Sequence, residues 1–397
     1  MAISDIKAYA HLTPEDVAAL GRELDALRAS VEQSRGEDDA AYIRRVIKFQ
    51  RSLEAAGRVT LFASLFPPAW FVGTGLLGLS KIVENMEIGH NVIHGQWDWM
   101  NDPEIHSSTW EWDNAASSAS WKHSHNVVHH TWTNIVGKDR DVGYGLLRVT
   151  RDYRWKPKNL AQPVIYALLA LLFEYGIAFH DIDVSAVKKG TKSKARMKQQ
   201  LAEMKAKIRK QVLKDYVVFP LLTGPAALST LSANFTAGVI RNLWSNAVIF
   251  CGHFPDGAEK FTLEEYERET PAEWYLRQML GSANFHGGKL MSFMTGHLNY
   301  QIEHHLFPDL PSNRYPEIGV QVREICERYG IPYTTGPFLV QYAQTIRTML
   351  KLSLPDAVLR RTSDDAPETA SEKKWELRAA AYPTVTVEDL REPALAG

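Results

Sequence analysis

Apolar and polar positions divide the chain into zones of different period. Residues 1 to 58 are amphipathic: Leu20, Leu24 and Leu27 recur at helical spacing among charged neighbours, and Thr13, Pro14 and Glu15 make a helix start. From Val59 the pattern changes to VTLFASLFPPAWFVGTGLLGLSKIV, which reaches Val83 with no charge before Lys81 and is long enough to cross a bilayer. Pro67 and Pro68 interrupt it, which predicts either one kinked span or a short hairpin inside the membrane. A second apolar run, Pro163 to Phe179, contains Glu174 and is the weaker span. Two further runs, Tyr216 to Leu231 and Ala237 to Cys251, flank the short polar segment Ser232 to Asn234. They predict a transmembrane hairpin with Arg241, Asn242 and Asn246 turned inward.

Between these runs, residues 188 to 214 are strongly basic. A solvated helix explains the charges, and so does a cytoplasmic segment held by the positive-inside bias; the hairpin that follows favours the second. Beyond Cys251 come His253, an acidic loop and a histidine group near 297 to 305. Residues 306 to 350 then read as soluble helices, with IGVQVREICERYG closing on Gly330 as a C-cap. The division that follows is N-terminal soluble or interfacial helices at 1–58, a membrane domain at 59–330, a helical extension at 331–361, and a charged tail at 362–397 expected to be mobile.

Composition narrows the class. The chain has 397 residues, 45% of them hydrophobic, and a formal net charge of -1, which argues against nucleic acid as a partner. Cys251 and Cys326 cannot build a disulfide framework, a zinc ribbon or an iron-sulfur site, so a reducing, cytoplasm-facing setting is expected. The opening MAISDIKAYAHLTPEDVAAL has acidic groups where a secretory signal needs a basic start and an apolar core.

The chemistry concentrates in WKHSHNVVHHTWTN, where His123, His125, His129 and His130 fall within eight residues. On a helix His125 and His129 share a face, with His130 about 100° further round. Two companions exist: GHNVIHG sets His90 and His94 four apart at the end of the first apolar run, and GHLNYQIEHHLFPDLP supplies His297, Gln301, His304 and His305. Imidazole suits zinc, copper, iron and nickel alike. Seven of these histidines already exceed the four positions of one tetrahedral zinc, so two metals are the economical reading. Two irons held mostly by histidine, near lipid and in a reducing compartment, suit oxygen activation and attack on an unactivated C–H bond.

His90-x3-His94, His125-x3-His129-His130 and Gln301-x2-His304-His305 resemble, in order and spacing, the three histidine boxes of the integral-membrane fatty acid desaturases, over residues 60 to 330. The Q-x-x-H-H third box is similar to the front-end and linoleoyl-CoA branch, and the whole to actinobacterial members without a fused cytochrome b5. The resemblance implies an all-α membrane protein of transmembrane hairpins with a cytoplasmic helical cap. It also implies a site of two iron ions, O2 as co-substrate, a long-chain acyl substrate, and membrane lipid as surroundings. Electrons would come from a separate donor: a ferredoxin, rubredoxin, cytochrome b5 or flavin reductase. Carried over, His90, His94, His125, His129, His130, His304 and His305 become ligands, and His253 an additional one by position. Gln301, where other branches have histidine, would ligate weakly, hold a water or act from behind a ligand. His123 and His297 fall outside the box spacing, and hydrogen bonding explains them at least as well as ligation. His11, His106, His180 and His286 carry no assigned role. Among Glu87, Asp98, Asp102, Asn134, Asp139 and Asp141, one or two are expected to orient ligating imidazoles.

Convergence of the boxes on one centre requires an even number of membrane passes between them. Treating Pro163 to Phe179 as an interfacial or partly inserted helix keeps boxes, basic segment and N-terminus cytoplasmic, and then requires residues 59 to 83 to form a hairpin or re-entrant pair. The expected activity is insertion of a cis double bond. A membrane hydroxylase or ketolase on the same metals is the near alternative. A zinc-dependent hydrolase is disfavoured by the absence of H-E-x-x-H and by the ligand count, and a metal transporter by histidines that follow apolar runs instead of lining them.

Overall fold

The computed structural model describes residue 6, residues 8–266 and residues 269–359, with the side chains of 264 and 265 left aside. The tail expected to be mobile at 362–397 lies outside the described residues, as do residues 1–5 and 7 of the opening stretch. Helices dominate; the strands are a parallel pair, Asn284–His286 against Thr335–Pro337.

Helix Pro14–Ser34 begins where the sequence places it. Thr13 caps it, its hydroxyl accepting from the Asp16 amide while the Asp16 carboxylate accepts from the Thr13 amide. Its stripe of Leu20, Leu24, Leu27 and Val31 is buried with Leu276, Met279 and Leu280 of helix Pro271–Leu280 and with Ile318, Val322 and Ile325 of helix Tyr315–Tyr329. The last of these closes on Gly330 at φ 61°, a left-handed C-cap. This cluster includes Ile302 and Leu306, which flank the third histidine box.

The apolar run from Val59 does not form a hairpin by itself. Helix Glu37–Thr60 supplies the first leg, residues 61–66 turn, and helix Pro67–Val83 returns. Pro67 and Pro68 therefore open a helix instead of kinking one, at positions whose missing N–H has no intrahelical acceptor. The returning helix, at 17 residues, is about 25 Å long before it passes into further helical turns. The two legs meet closely because Gly57 and Gly73 have no side chain: a Cβ on Gly73 would lie 2.7 Å from Leu61 Cδ2, and one on Gly57 2.9 Å from Leu77 Cγ.

The second hairpin also turns elsewhere than expected. Helix Ala227–His253 runs through Ser232–Asn234, and the reversal lies at Thr223–Ala226, where Gly224 takes φ 56° and Pro225 follows. Ser232 and Asn234 resembled a turn because they are polar. In the fold they bond sideways: Trp70 Nε1 donates to Ser232 Oγ at 2.9 Å and Arg58 to Asn234 Oδ1 at 3.0 Å. Arg241, Asn242 and Asn246 are buried as expected, and Arg241 pairs with Glu174 at 2.5 Å. The weak run breaks at Leu172, where Pro157–Leu171 and Phe173–Lys188 meet at 102°. Among the described residues no single helix is long and apolar enough to cross a membrane, and only this bent pair passes by length and composition together. Apolar exposure gathers at the hairpin tips, on Val59, Phe62, Leu65, Phe66, Leu221, Leu222 and Leu228. The opposite ends of both long helices lead into the histidines.

Candidate metal centre

Helix Pro67–Val83 continues into a π-helical segment, Glu84–His90, and a second π-helical segment, Lys122–His129, bears the central histidines. Such segments are rare and are found mostly at functional sites. Asn126 Nδ2 donates to the Ile93 carbonyl at 2.9 Å, fastening the second box to the first. Arg277, fully buried and paired with Glu269, donates to the carbonyls of Thr131 and Thr133 at 3.0 Å each and fixes the far end of the second box.

Two groups of ring nitrogens result. Those of His90, His94, His125 and His304 lie within 4.8 Å of one another, as do those of His129, His253 and His305. Each group mixes separate parts of the chain, so the boxes converge. His130 adjoins both, stacked on His305 at 4.6 Å and edge-on to His94 at 4.7 Å. The Nε2 atoms of His94, His125, His129, His304 and His305 are buried with no hydrogen-bond partner in the protein, as are both ring nitrogens of His130 and Nδ1 of His253. Unpaired buried nitrogens each cost about 1–3 kcal/mol. Converging at this density, the two groups could each hold a metal ion, and a histidine-only set fits iron as well as zinc.

The opposite nitrogens are tied down. His129 Nδ1 meets Asp139 Oδ2 at 2.9 Å and His125 Nδ1 meets Asp141 Oδ2 at 3.5 Å. His90 Nδ1 faces Asn91 Oδ1 at 3.1 Å, His305 Nδ1 faces Gln278 Oε1 at 3.1 Å, and His304 Nδ1 faces the Tyr315 hydroxyl at 3.3 Å. These acceptors place the proton on Nδ1 and leave the Nε2 lone pair toward the centre. Burial holds His94, His130, His253, His304 and His305 well below the usual imidazole range and His90 at about 3, so these rings are neutral at pH 7 and able to ligate. His129 is raised: burial pulls it down, but the Asp139 and Asp141 carboxylates outweigh that pull.

The remaining candidates belong to neither group, although Gln301 touches a member of one. His123 is exposed. His297 is buried at φ 58°, its Nδ1 2.9 Å from Glu87 Oε2, and Glu87 also accepts from Tyr42 and Ser312. Asn134 braces backbone, donating to the carbonyls of Glu259 and Gly281. Asp98 bonds Ser107 and Asp102 faces Arg44. Gln301 Nε2 lies 3.2 Å from His253 Nε2, with its Oε1 buried and unpartnered. His180 has a part the sequence did not reveal: its Nε2 lies 3.0 Å from Asp141 Oδ1, behind His125. Gln278 was missed too, being remote from every box in sequence, and so was Tyr315, ten residues past the third box but a hydroxyl in a search confined to carboxylates and amides; Asn91, adjacent to His90, was legible as a neighbour.

Comparison with known proteins agrees with this arrangement. Residues 65–337 match the family model for fatty acid desaturases, a span that includes every histidine of the two groups. The chain belongs to the fatty acid desaturase family. It is 59% identical over 379 residues, 94% of this chain and 89% of the other, to an NADPH-dependent stearoyl-CoA 9-desaturase of Mycobacterium tuberculosis. Remoter relatives are an sn-1 linoleoyl-lipid 6-desaturase of Synechocystis, 24% identical over 80% of this chain and 89% of that one, and a Delta(5) fatty acid desaturase of Dictyostelium discoideum, 26% identical over 64% and 56%. As a desaturase it is an enzyme and an oxidoreductase.

A cavity of the desaturase adjoins the first group. His90, His125, His253 and Gln301 form one part of its lining, and Met86, Trp112, Trp121, Tyr144, Phe173, Ile177, Ile249 and Leu298 the apolar part. The Glu174–Arg241 pair, Asn242 and Ser245 also face it. A second, solvent-open cleft shares Tyr144 and His180 with this cavity and carries Arg154, Lys156 and Lys158, all exposed.

Proposed function

We propose that this desaturase inserts a cis double bond into a long-chain acyl thioester, using O2 and two electrons from a separate donor at a centre of two irons. The observation that carries the reading is the pair of buried histidine groups with inward, unpartnered ring nitrogens and a cavity with an apolar wall against them. When bound, the irons supply the oxygen activation that breaks an unactivated C–H bond. The chain's residues do the rest. Asp139, Asp141, Asn91, Gln278 and Tyr315 hold the imidazole protons on the outward nitrogens. The aromatic and aliphatic lining excludes water from the reacting methylenes and positions them by contact.

The basic cleft beyond Tyr144 and His180 suits a phosphate-bearing carrier, and the mycobacterial relative acts on a CoA ester. That relative's name also supports NADPH as the ultimate reductant and carbon 9 of a stearoyl chain as the position. The exposed apolar hairpin tips support anchoring in the cell membrane, with the histidines at the cytoplasmic end where reductant is available. The test is expression in a host with a competent reductase and analysis of its fatty acids. A new cis-monounsaturated acid is the expected product; a hydroxy acid without a new unsaturated one would overturn the proposal in favour of a hydroxylase. Metal analysis of protein purified without oxygen should find about two irons per chain.

A further inference from the structure

The mechanism leaves unused the basic helix Lys194–Val212 and what lies beneath it. Its apolar positions, Met197, Leu201, Met204 and Ile208, turn inward against Ala178, Ile182 and the Trp112–Trp121 pair. Lys207 reaches in as well, donating to the Trp112 carbonyl at 2.7 Å and pairing with Glu111. The outward face is different. Lys194, Arg196, Lys198, Lys205, Arg209 and Lys210 are exposed, and none makes an ion pair among the described residues.

Below this face a ring path leads to the metal ligands. The Trp112 and Trp121 centroids are 5.1 Å apart, and Trp121 stacks on His125 at 4.3 Å with 21° between planes. The helix with its inward stripe and two tryptophans in series thus lie between a cationic surface and His125. A helix lying on lipid presents Trp, Phe or Leu outward with its lysines. Here the apolar stripe is packed against the protein, and the exposed large apolar side chains nearest the basic face, Val184, Val212 and Leu213, lie at or beyond the ends of the helix.

We propose that the exposed basic face of helix Lys194–Val212 docks an acidic one-electron carrier protein, and that electrons pass inward through Trp112 and Trp121 to His125. The inference rests on the desaturase reading. Per turnover the acyl chain loses two hydrogen atoms, the carrier delivers two electrons in two steps, two protons enter from solvent, and O2 leaves as two waters. Unpaired surface cations favour a fast, salt-sensitive encounter.

The experiment measures binding of a plant-type [2Fe–2S] ferredoxin to the purified full chain, and separately binding of phosphatidylglycerol vesicles. The wild type should bind ferredoxin more weakly as salt rises. The triple variant K198E/K205E/R209E should bind it at least 10-fold more weakly at low salt and be reduced more slowly by it, with dithionite reduction, iron content and circular dichroism unchanged. Trp112→Leu should keep the ferredoxin affinity but slow ferredoxin-driven reduction, with Trp112→Phe intermediate. Unchanged ferredoxin affinity in the triple variant would overturn the docking site, as would selective loss of vesicle binding instead. Wild-type reduction rates in Trp112→Leu would overturn the path. These readouts need no product, so failure to form an unsaturated acid would count against the activity alone.

Discussion

His129 Nδ1 and Asp139 Oδ2 lie 2.9 Å apart in a fully buried pair, with Asp139 also accepting from the backbone amides of Asn134 and Asp141. One carboxylate thus sets the tautomer of a central histidine and folds the loop behind it. Asp139→Asn keeps the shape but can present an amide hydrogen to Nδ1. Metal affinity should fall about 10–100-fold, read as iron retained during dialysis against chelator, with helix content unchanged.

His130 and His123 make a contrasting pair seven residues apart. His130 is buried beside both ligand groups with two unpaired nitrogens, and His123 is exposed. His130→Ala should lose roughly one metal per chain and nearly all double-bond formation. His123→Ala should match the wild type in both assays. Equal iron content in the two variants would remove His130 from the ligand set.

His297 contacts Glu87 and belongs to neither ligand group. His297→Ala should retain iron yet lose about 1–3 kcal/mol of stability, because the buried Glu87 carboxylate loses a donor. Thermal unfolding in detergent, with iron measured on the same sample, distinguishes this from ligation.

Asp181 accepts from Ser124 Oγ at 2.5 Å while its other oxygen is buried and unpartnered, and burial pushes its acid up to about 7. Its ordinary value is 3.8. Between those pH values the folded chain holds a proton that the unfolded chain has released, so stability falls as pH rises through that window and the full penalty is present above it. Asp181→Asn has nothing to titrate. Relative to the wild type its melting temperature should gain between pH 5.5 and pH 8; a constant difference across that range would show that Asp181 ionises normally.

The histidines that converge were legible because each box is local: spacing alone pairs His90 with His94 and His125 with His129. What stands behind them was legible only where chain proximity helped. Asp139 and Asp141 follow the second box within a dozen residues, whereas Gln278 reaches His305 and His180 reaches Asp141 across long separations that no local pattern records. The hairpins misled for a related reason. Ser232 and Asn234 look like a loop until Trp70 and Arg58 arrive from two other helices to satisfy them, and the first leg of the earlier hairpin is the charged helix Glu37–Thr60, whose sequence gives no sign of pairing with an apolar run.

The π-helical segments make the site intolerant of changes in length. Lys122–His129 bonds five residues ahead instead of four, so removal of one residue, such as the half-exposed Val127, would let the segment relax to an ordinary helix. The tighter winding would take up about the residue removed, so the flanking turns would keep roughly their phase, but His125 and His129 would stand three apart instead of four, and His125 and His130 four instead of five. Substitution within this stretch alters one contact at a time, whereas a single-codon deletion would reset the spacing of His125 to both later histidines at once.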